Sequence, residues 1–585
     1  MGPAGLETKN RAAAVRLRLH SADAVRELSA RPIDGNELAA TVRSQMSNAR
    51  TAQSDWSERP LRDRLKILTT LRLKIAADPR SLAIAVEREN LAETLAAEIL
   101  PLLDACRFLE TEATRILEEK NVSTRARPMW LWGNSVALRP EPLGVVLIIA
   151  PSNYPLMLPG IQALQAIVAG NAVLIKPAVN CSPAVQTLVS MATSAGVPNH
   201  LIQVLPESTD AATFAIRDGV DKVFLTGSAT TGQTVSRELA ESATPSVMEL
   251  SGCDAVFVLD DADPNLVSDC LLFGLTLNSS QTCMAPRRVF AGDQQADEIL
   301  RLLRAKLEAK TVGWDQRSAG PPLDPHGGPA IALLADPTPR MAGSQRALEL
   351  AAAKIHEAIS GGAELVAGSL TVGESPELCG VAILDHVTSD MSLAQSDIFA
   401  PVLSFIRVDS DVQALHENAK CPYALSATVF GSTARCQKFA RRIHAGCVVI
   451  NDMIVPTADP RVPFGGRRMS GHGMTRGEAG LLEMTQMKAI VVTRRWFKPH
   501  LHSPTAADAD VLEQLIRLEH SAGPLQSLMA VPKMIKATLE QMKMRRKPRN
   551  APSRPGTGVC HSRTVCHSGA GGNPDSGDGF PAARE

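Results

Sequence analysis

The spacing of apolar positions changes along the chain, and each change marks an element. Between about residues 37 and 120, apolar residues recur at three- and four-residue steps. Leu61, Leu65, Ile67, Leu68, Leu71 and Ile75 form such a series among Arg and Lys, which predicts an amphipathic helix. Further helices are predicted around Ser81–Glu93 and Leu102–Leu117. Residues 122–142 switch to short alternating segments with Trp130, Trp132 and Val136 and end in Pro140 and Pro142, a hairpin-like excursion. From residue 143, short continuous apolar runs take over. Val145–Ala150, Ala172–Ile175, Leu201–Leu205 and Lys222–Leu225 read as buried parallel strands. Leu156–Val168, Thr187–Ala195 and Ala211–Arg217 read as the helices between them. This alternation predicts an α/β fold with a parallel sheet. A second α/β stretch opens at Ala255–Leu259 and runs to about residue 450.

Composition narrows the function classes. Of 585 residues, 44% are hydrophobic and 21% charged, which is ordinary globular usage. Lys+Arg and Asp+Glu are 61 each, so a whole-protein grip on nucleic acid is not expected. Aromatics are 3%, with two tyrosines, which leaves little for a base-stacking surface. The 11 cysteines are sparse and irregular, the usage of free thiols in a reducing compartment. The N-terminal stretch lacks the apolar core of a secretory signal, and no uninterrupted run of about 18 apolar residues predicts a spanning helix. The chain therefore reads as soluble and cytoplasmic. Residues 508–544 are patterned as helix and lead into the basic run Lys543–Arg549. Such a run gains about 1 kcal/mol per charge at an anionic membrane surface. A solvated face and a linker is the favoured reading here. Residues 551–585 are rich in Gly, Pro and Ser and are expected to be disordered. His561 and His567 beside Cys560 and Cys566 match no common zinc spacing, so no metal site is expected.

Three segments carry chemistry. The first is N-S-S-Q-T-C, Asn278 to Cys283. A nucleophilic cysteine needs a lowered pKa, an oxyanion partner and a base within reach; otherwise Cys283 is a structural thiol. The second, V-M-E-L-S-G, ends an apolar strand on Glu249. An ionisable group there is costly unless paired or functional. The third, A-P-S-N-Y-P, puts Asn153 just beyond the strand Val145–Ala150, where ligands bind in open α/β sheets. A plain turn residue is the alternative for Asn153.

Together these segments resemble the aldehyde dehydrogenase superfamily. Its nucleophile motif is N-x-G-Q-x-C, its base motif E-L-G-G, and its amide lies in a P-x-N-[FY]-P loop. Glu249 precedes Cys283 by 34 residues, which is the family spacing. The coenzyme loop G-S-x-x-x-G is similar to Gly227, Ser228 and Gly232, and the strand-end lysine to Lys176 in V-L-I-K-P. The E-x-F-G-P-V segment is similar to Asp397, Phe399, Ala400, Pro401 and Val402, and P-F-G-G-x-x-x-S-G-x-G to Pro463–Gly473. The resemblance covers roughly residues 40–495.

It implies oxidation of an aldehyde to a carboxylic acid with NAD or NADP. Cys283 would be the nucleophile, Asn153 the oxyanion donor and Glu249 the base that activates water. Lys176, Gly227, Ser228, Gly232, Asp397 and Phe399 would bind cofactor. Many NAD-preferring relatives carry a Glu three residues after the lysine; here Val179 stands there, so NADP is permitted. Ser280, Ser251, Asp397 and Ala400 depart from the motifs. If the backbone at Ser280 needs positive φ, Ser is strained there. A catalytically idle binding or scaffold protein is the alternative, and retention of Cys283, Glu249 and Asn153 favours the enzyme.

The resemblance also implies the architecture: a Rossmann-type coenzyme domain, an α/β catalytic domain and a small oligomerisation flap. The expected layout is an N-terminal extension at 1–36, the coenzyme domain at 37–250 with the excursion 122–142, and the catalytic domain at 251–450. A return to the core with an oligomerisation strand takes 451–495, a helical addition 496–550 and a tail 551–585. A homodimer or homotetramer is expected, with a small-molecule aldehyde as substrate. If the helical addition touches membrane, a long apolar aldehyde is the natural choice.

Overall fold

The computed structural model describes residues 34–88, 90–312, 344–371, 377–494, 498–501, 503–520 and 523–546. It divides into two compact units, one of residues up to 122 with 135–491, the other of 123–134 with the residues from 492 onward. The 1–33 part of the predicted N-terminal extension, Lys547–Arg549 and the tail 551–585 with its Cys-His pairs lie outside the described residues.

The larger unit is built on two sheets. The first has strand order Gly471–His472, Ser246–Leu250, Lys222–Gly227, Val145–Ile149, Ala172–Lys176, Ile202–Val204. All neighbours are parallel except Gly471–His472, which runs antiparallel to Ser246–Leu250. Val145–Ile149 and Ala172–Lys176 are buried at every position, as sheets covered on both faces require. The order reverses between Val145–Ile149 and Lys222–Gly227, and ligands bind open α/β sheets at such a switch point.

The second sheet has seven strands, in the order Glu364–Thr371, Glu377–Asp385, Val402–Arg407, Pro286–Ala291, Asp254–Val258, Ser426–Phe430, Cys447–Ile450. Alternate residues of Asp254–Val258 enter different cores, as a period of two demands. Ala255 and Phe257 pack on one side, Val256 and Val258 on the other. Phe257 stacks on Phe290 at 5.2 Å and meets Phe439 edge-on at 5.1 Å. The α/β class predicted from the runs is therefore observed.

Some predicted elements differ. The helix expected at Ser81–Glu93 is broken. Pro79–Val86 ends where Glu87 turns left-handed (φ 59), and Asn90 starts a new turn by accepting the Glu93 N–H at 3.1 Å. A π-helical turn, Leu95–Ile99, follows and sets Glu98 inside the core. The excursion at 122–142 is hairpin-like in that Lys120 and Asn121 pair antiparallel with Leu138 and Ala137. A three-stranded sheet joins Lys120–Asn121, Asn134–Pro142 and Thr485–Thr493, with the last strand at its edge. The smaller unit contains helices Ala506–His520 and Pro524–Arg546, so the single predicted helical stretch is a pair.

Gly471 adopts φ +104, and a Cβ there would lie 1.9 Å from the Met248 carbonyl oxygen. It pairs with Glu249 in the ladder. Gly471→Ala is expected to destabilise the fold by about 3 kcal/mol, the size of a severe single-site defect. A thermal melt of the variant against the parent chain checks this, and an unchanged midpoint would contradict the steric argument.

Candidate active site

The sequence-predicted residues gather at the carboxyl ends of the first sheet. Glu249 closes Ser246–Leu250, Lys176 closes Ala172–Lys176, and Gly227 closes Lys222–Gly227. Asn153 follows Val145–Ile149 by four residues. Ser228 caps helix Ala229–Ser242 by accepting the Thr231 N–H at 3.1 Å, so the helix N-terminus opens at this face. Gly232 lets that helix lie against the sheet: a Cβ would come within 2.6 Å of Leu250 Cδ1.

The nucleophile segment is the most constrained part. Asn278, Ser279 and Ser280 all take positive φ, at 48°, 52° and 61°. The strain expected at Ser280 is therefore present, and it extends to its two neighbours. Arg287, itself buried, holds the turn. It donates to Ser280 Oγ at 2.8 Å, to the Ser280 carbonyl at 2.7 Å and to the Ala400 carbonyl at 2.6 Å. Glu93 accepts the Asn278 N–H at 2.9 Å.

Asn153 is buried against this segment. Its Nδ2 donates to the Gln281 carbonyl at 3.0 Å, and Asn278 Nδ2 donates to the Asn153 carbonyl at 3.1 Å. Tyr154 Oη meets Thr282 Oγ1 at 2.7 Å. Behind them Arg88 donates to the Asn153 carbonyl, lies 5.1 Å from the Tyr154 ring centroid and pairs with Glu98 at 3.1 Å. Glu98 also accepts the Leu156 and Met157 N–H groups at 3.0 and 2.7 Å. The Arg88–Glu98 pair thus ties the Asn153 loop to the head of helix Met157–Ala169.

Cys283 is half-buried beside Met284, Leu425 and Phe464. Burial pushes its thiol well above the ordinary value, Glu249, Asp254 and Asp397 push the same way, and the Arg476 guanidinium opposes them. Burial likewise raises Glu249; Arg476 and a 3.1 Å hydrogen bond from Thr475 Oγ1 oppose it. Asp254, buried and bonded to Ser426, is pushed up by burial to about 7.

Arg476 escaped the sequence reading. It is buried, and burial lowers its own pKa while Glu249, Cys283 and Cys447 raise it. Nη1 donates to the Thr457 carbonyl at 2.7 Å, the guanidinium sits 4.6 Å from the Phe464 ring centroid, and Nε is buried without a partner. Its backbone, at φ 62 and ψ 167, lies in a region that glycine favours. The only sequence signal was a charged residue two positions beyond Met474. Arg476 also ends a narrow cavity walled by Leu109 and Ile161. That cavity shares Phe108 and Pro460 with a surface hollow of about 610 Å³.

The cofactor candidates have mixed environments. Asp397 is half-buried; Ser251 hydrogen-bonds to it, and its Oδ1 is buried without a partner. An unpartnered acceptor of this kind fits a hydroxyl of a bound dinucleotide ribose. Phe399 is half-buried nearby in sequence. Lys176 is buried, which lowers its pKa against the pull of Glu207. Both Glu207 oxygens are taken by the Asn180 and Ser182 N–H groups, at 2.8 and 2.9 Å. Val179 is 49% exposed, so it does not pack into the helix behind it.

This strand order, with a glutamate and an amide at the end of one sheet and a cysteine segment bonded to that amide, defines an α/β fold of the dehydrogenase type. The model of the aldehyde dehydrogenase family matches residues 35–490, and the chain belongs to that family. A 4,4'-diapolycopene aldehyde oxidase from Methylomonas sp. is 28% identical over 465 residues, 78% of this chain and 83% of that protein. A putative succinate-semialdehyde dehydrogenase [NADP(+)] of Mycolicibacterium smegmatis is 26% identical over 82% of this chain and 92% of its own length. Among solved structures, an NADP-dependent glyceraldehyde-3-phosphate dehydrogenase from Bacillus halodurans, complexed with NADP, superposes with a TM-score of 0.66 at 27% identity. It covers 78% of this chain and 91% of that one.

Arg476 favours the deprotonated forms of both Glu249 and Cys283, so removing its charge raises both. Arg476→Gln should therefore slow alkylation of Cys283 by iodoacetamide about tenfold at neutral pH and move the rate profile to higher pH. Arg476→Lys should restore part of the loss. A profile unmoved in Arg476→Gln would leave the arginine a purely structural role.

Proposed function

We propose that this chain oxidises an aldehyde to a carboxylic acid with NAD or NADP through a covalent adduct on Cys283. The observation that carries the reading is the meeting of three segments: the Asn153 amide donates to the Gln281 carbonyl two residues before Cys283, and Glu249 and Arg476 both act on the Cys283 thiol. The Cys283 thiol loses its proton and attacks the aldehyde carbon. The Asn153 amide and the Cys283 N–H stabilise the oxyanion, and such a donor is worth roughly 10²–10³ in rate. The nicotinamide, when bound, supplies the hydride acceptor. The thioester left on Cys283 is hydrolysed by water that Glu249 deprotonates, which contributes roughly 10²–10⁴. Burial makes the Glu249 carboxylate a stronger base than an exposed one, and the Thr475 hydroxyl, donating at 3.1 Å, orients it.

Lys176, Gly227, Ser228, Gly232, Asp397 and Phe399 would hold the dinucleotide, the phosphates at the N-terminus of helix Ala229–Ser242. No carboxylate stands at Val179, which removes one source of repulsion for a 2′-phosphate beside Lys176; Glu207, held by the Asn180 and Ser182 N–H groups, keeps its charge near that lysine. The exposed edge strand Thr485–Thr493, carrying Met487 and Val491, supports a homodimer or homotetramer through the three-stranded sheet.

The test is NAD(P)H production by the purified chain over a panel of short, long-chain and aromatic aldehydes with each cofactor. Cys283→Ala should abolish turnover while cofactor binding persists. Glu249→Gln should give one stoichiometric burst and then a steady rate lower by roughly 10²–10⁴. Undiminished turnover in Cys283→Ala would overturn the covalent route. A folded, cofactor-binding parent with no turnover on any aldehyde would favour the idle binding protein instead.

A further inference from the structure

The part of the smaller unit from residue 492 onward lies beyond the family match, and its second helix is patterned inside out. In Pro524–Arg546 the buried positions are small, Ala530 and Ala537, while Ile535, Leu539 and Met542 are 54%, 54% and 49% exposed. Spacings of four and three residues put these last three on one helix face. Positions 536 and 543, both lysine, fall one residue further round the helix from Ile535 and Met542 and so flank that face. The helix carries Lys533, Lys536, Lys543, Arg545 and Arg546 against the single acid Glu540, and the sequence continues with Lys547 and Arg549.

The paired helix Ala506–His520 is acidic, but most of its acids are engaged. Asp508 accepts from Thr505 Oγ1 at 2.6 Å, Glu513 pairs with Arg517 at 2.5 Å, and Glu519 accepts the Met129 N–H at 2.7 Å. Asp510 remains exposed. The Glu519 bond fixes the 123–134 segment, and with it Trp132 at 73% exposure, to this unit. Long basic side chains flanking an apolar face are the composition of a helix lying in a bilayer interface.

We propose that this unit docks on an anionic lipid surface, with Ile535, Leu539 and Met542 entering the interface and the exposed Lys533 and Lys536 meeting the head groups. Charge selects this occupant. A second copy of the chain would set two strongly basic helices face to face, which repel, whereas anionic head groups complement them. No described helix is long and apolar enough to cross a membrane, so the contact is superficial. The inference stands apart from the reaction at Cys283.

The test is co-sedimentation of the full chain with vesicles of phosphatidylcholine alone and of phosphatidylcholine with phosphatidylserine. Binding is expected to the anionic vesicles and to weaken as salt rises. Lys533→Gln with Lys536→Gln should weaken it about 20-fold. Ile535→Ser with Leu539→Ser should remove it at unchanged far-ultraviolet dichroism and unchanged turnover of a water-soluble aldehyde. Absent binding, or equal binding to both vesicle types, would overturn the proposal. So would an Ile535→Ser and Leu539→Ser chain that keeps its vesicle affinity but falls to a smaller species by light scattering. That result would assign the face to a second copy.

Discussion

The site depends on the three-oxygen clamp of Arg287. Three consecutive residues without glycine freedom, Asn278, Ser279 and Ser280, are held left-handed just ahead of Cys283. Each such residue costs on the order of 1–3 kcal/mol. Hydrogen bonds from a charged donor contribute about 1.5–3 kcal/mol each, and Arg287 makes them to Ser280 Oγ, the Ser280 carbonyl and the Ala400 carbonyl. The two sums are of the same size, so the turn holds only while the arginine is in place. The orientation of the Gln281 carbonyl, and through it the Asn153 amide, follows from that turn.

The second constraint is electrostatic. Glu249, Asp254 and Cys283 are all poorly solvated, and the two carboxyls make the Cys283 thiol harder to ionise. Arg476 is the cation that reaches both Glu249 and Cys283, and Phe464 and the Thr457 carbonyl fix where it sits. Thr475, its neighbour in sequence, is bonded to both Glu249 and the Phe464 carbonyl. One short stretch therefore positions the carboxylate and sets the charge around it. Arg88 and Glu98 do comparable work on the far side of the nucleophile segment, where charge is spent on holding the Asn153 loop to a helix end.

The strands were legible because a sheet covered on both faces needs unbroken apolar runs, and Val145–Ile149 and Ala172–Lys176 are such runs. Cys283, Glu249 and Asn153 were legible because their motifs are local in sequence. What was not legible is what the fold brings from a distance. Glu98 in Leu-Ala-Ala-Glu-Ile-Leu reads as a solvent-facing position of a helix; the π turn rotates it inward, and no residue pattern announces that turn. Arg476 reads as one of many basic residues, because its partners are assembled from a distance: Glu249 at the end of the first sheet, Thr457 and Phe464 in the chain returning from the second. The split of Ser81–Glu93 hinged on Asn90 acting as a cap rather than as one more polar helical position.

The departures from the family motifs are best understood through who bonds to whom. Ser280 and Ala400 stand where glycines are usual, and both are held by the same Arg287. Ser251 stands for another glycine, and it bonds to Asp397, which stands for a glutamate one methylene longer. A site decaying by neutral loss forfeits partners one at a time and leaves buried groups unanswered. Here each added hydroxyl has a partner: Ser280 Oγ accepts from Arg287 at 2.8 Å, and Ser251 Oγ donates to the Gly227 carbonyl at 3.3 Å. Among the replaced residues Asp397 Oδ1 is buried without a partner, at the position that the resemblance assigns to the cofactor. That pattern is the one expected of a site re-fitted around its ligands, because the unmet acceptor points to a role outside the protein's own hydrogen bonds.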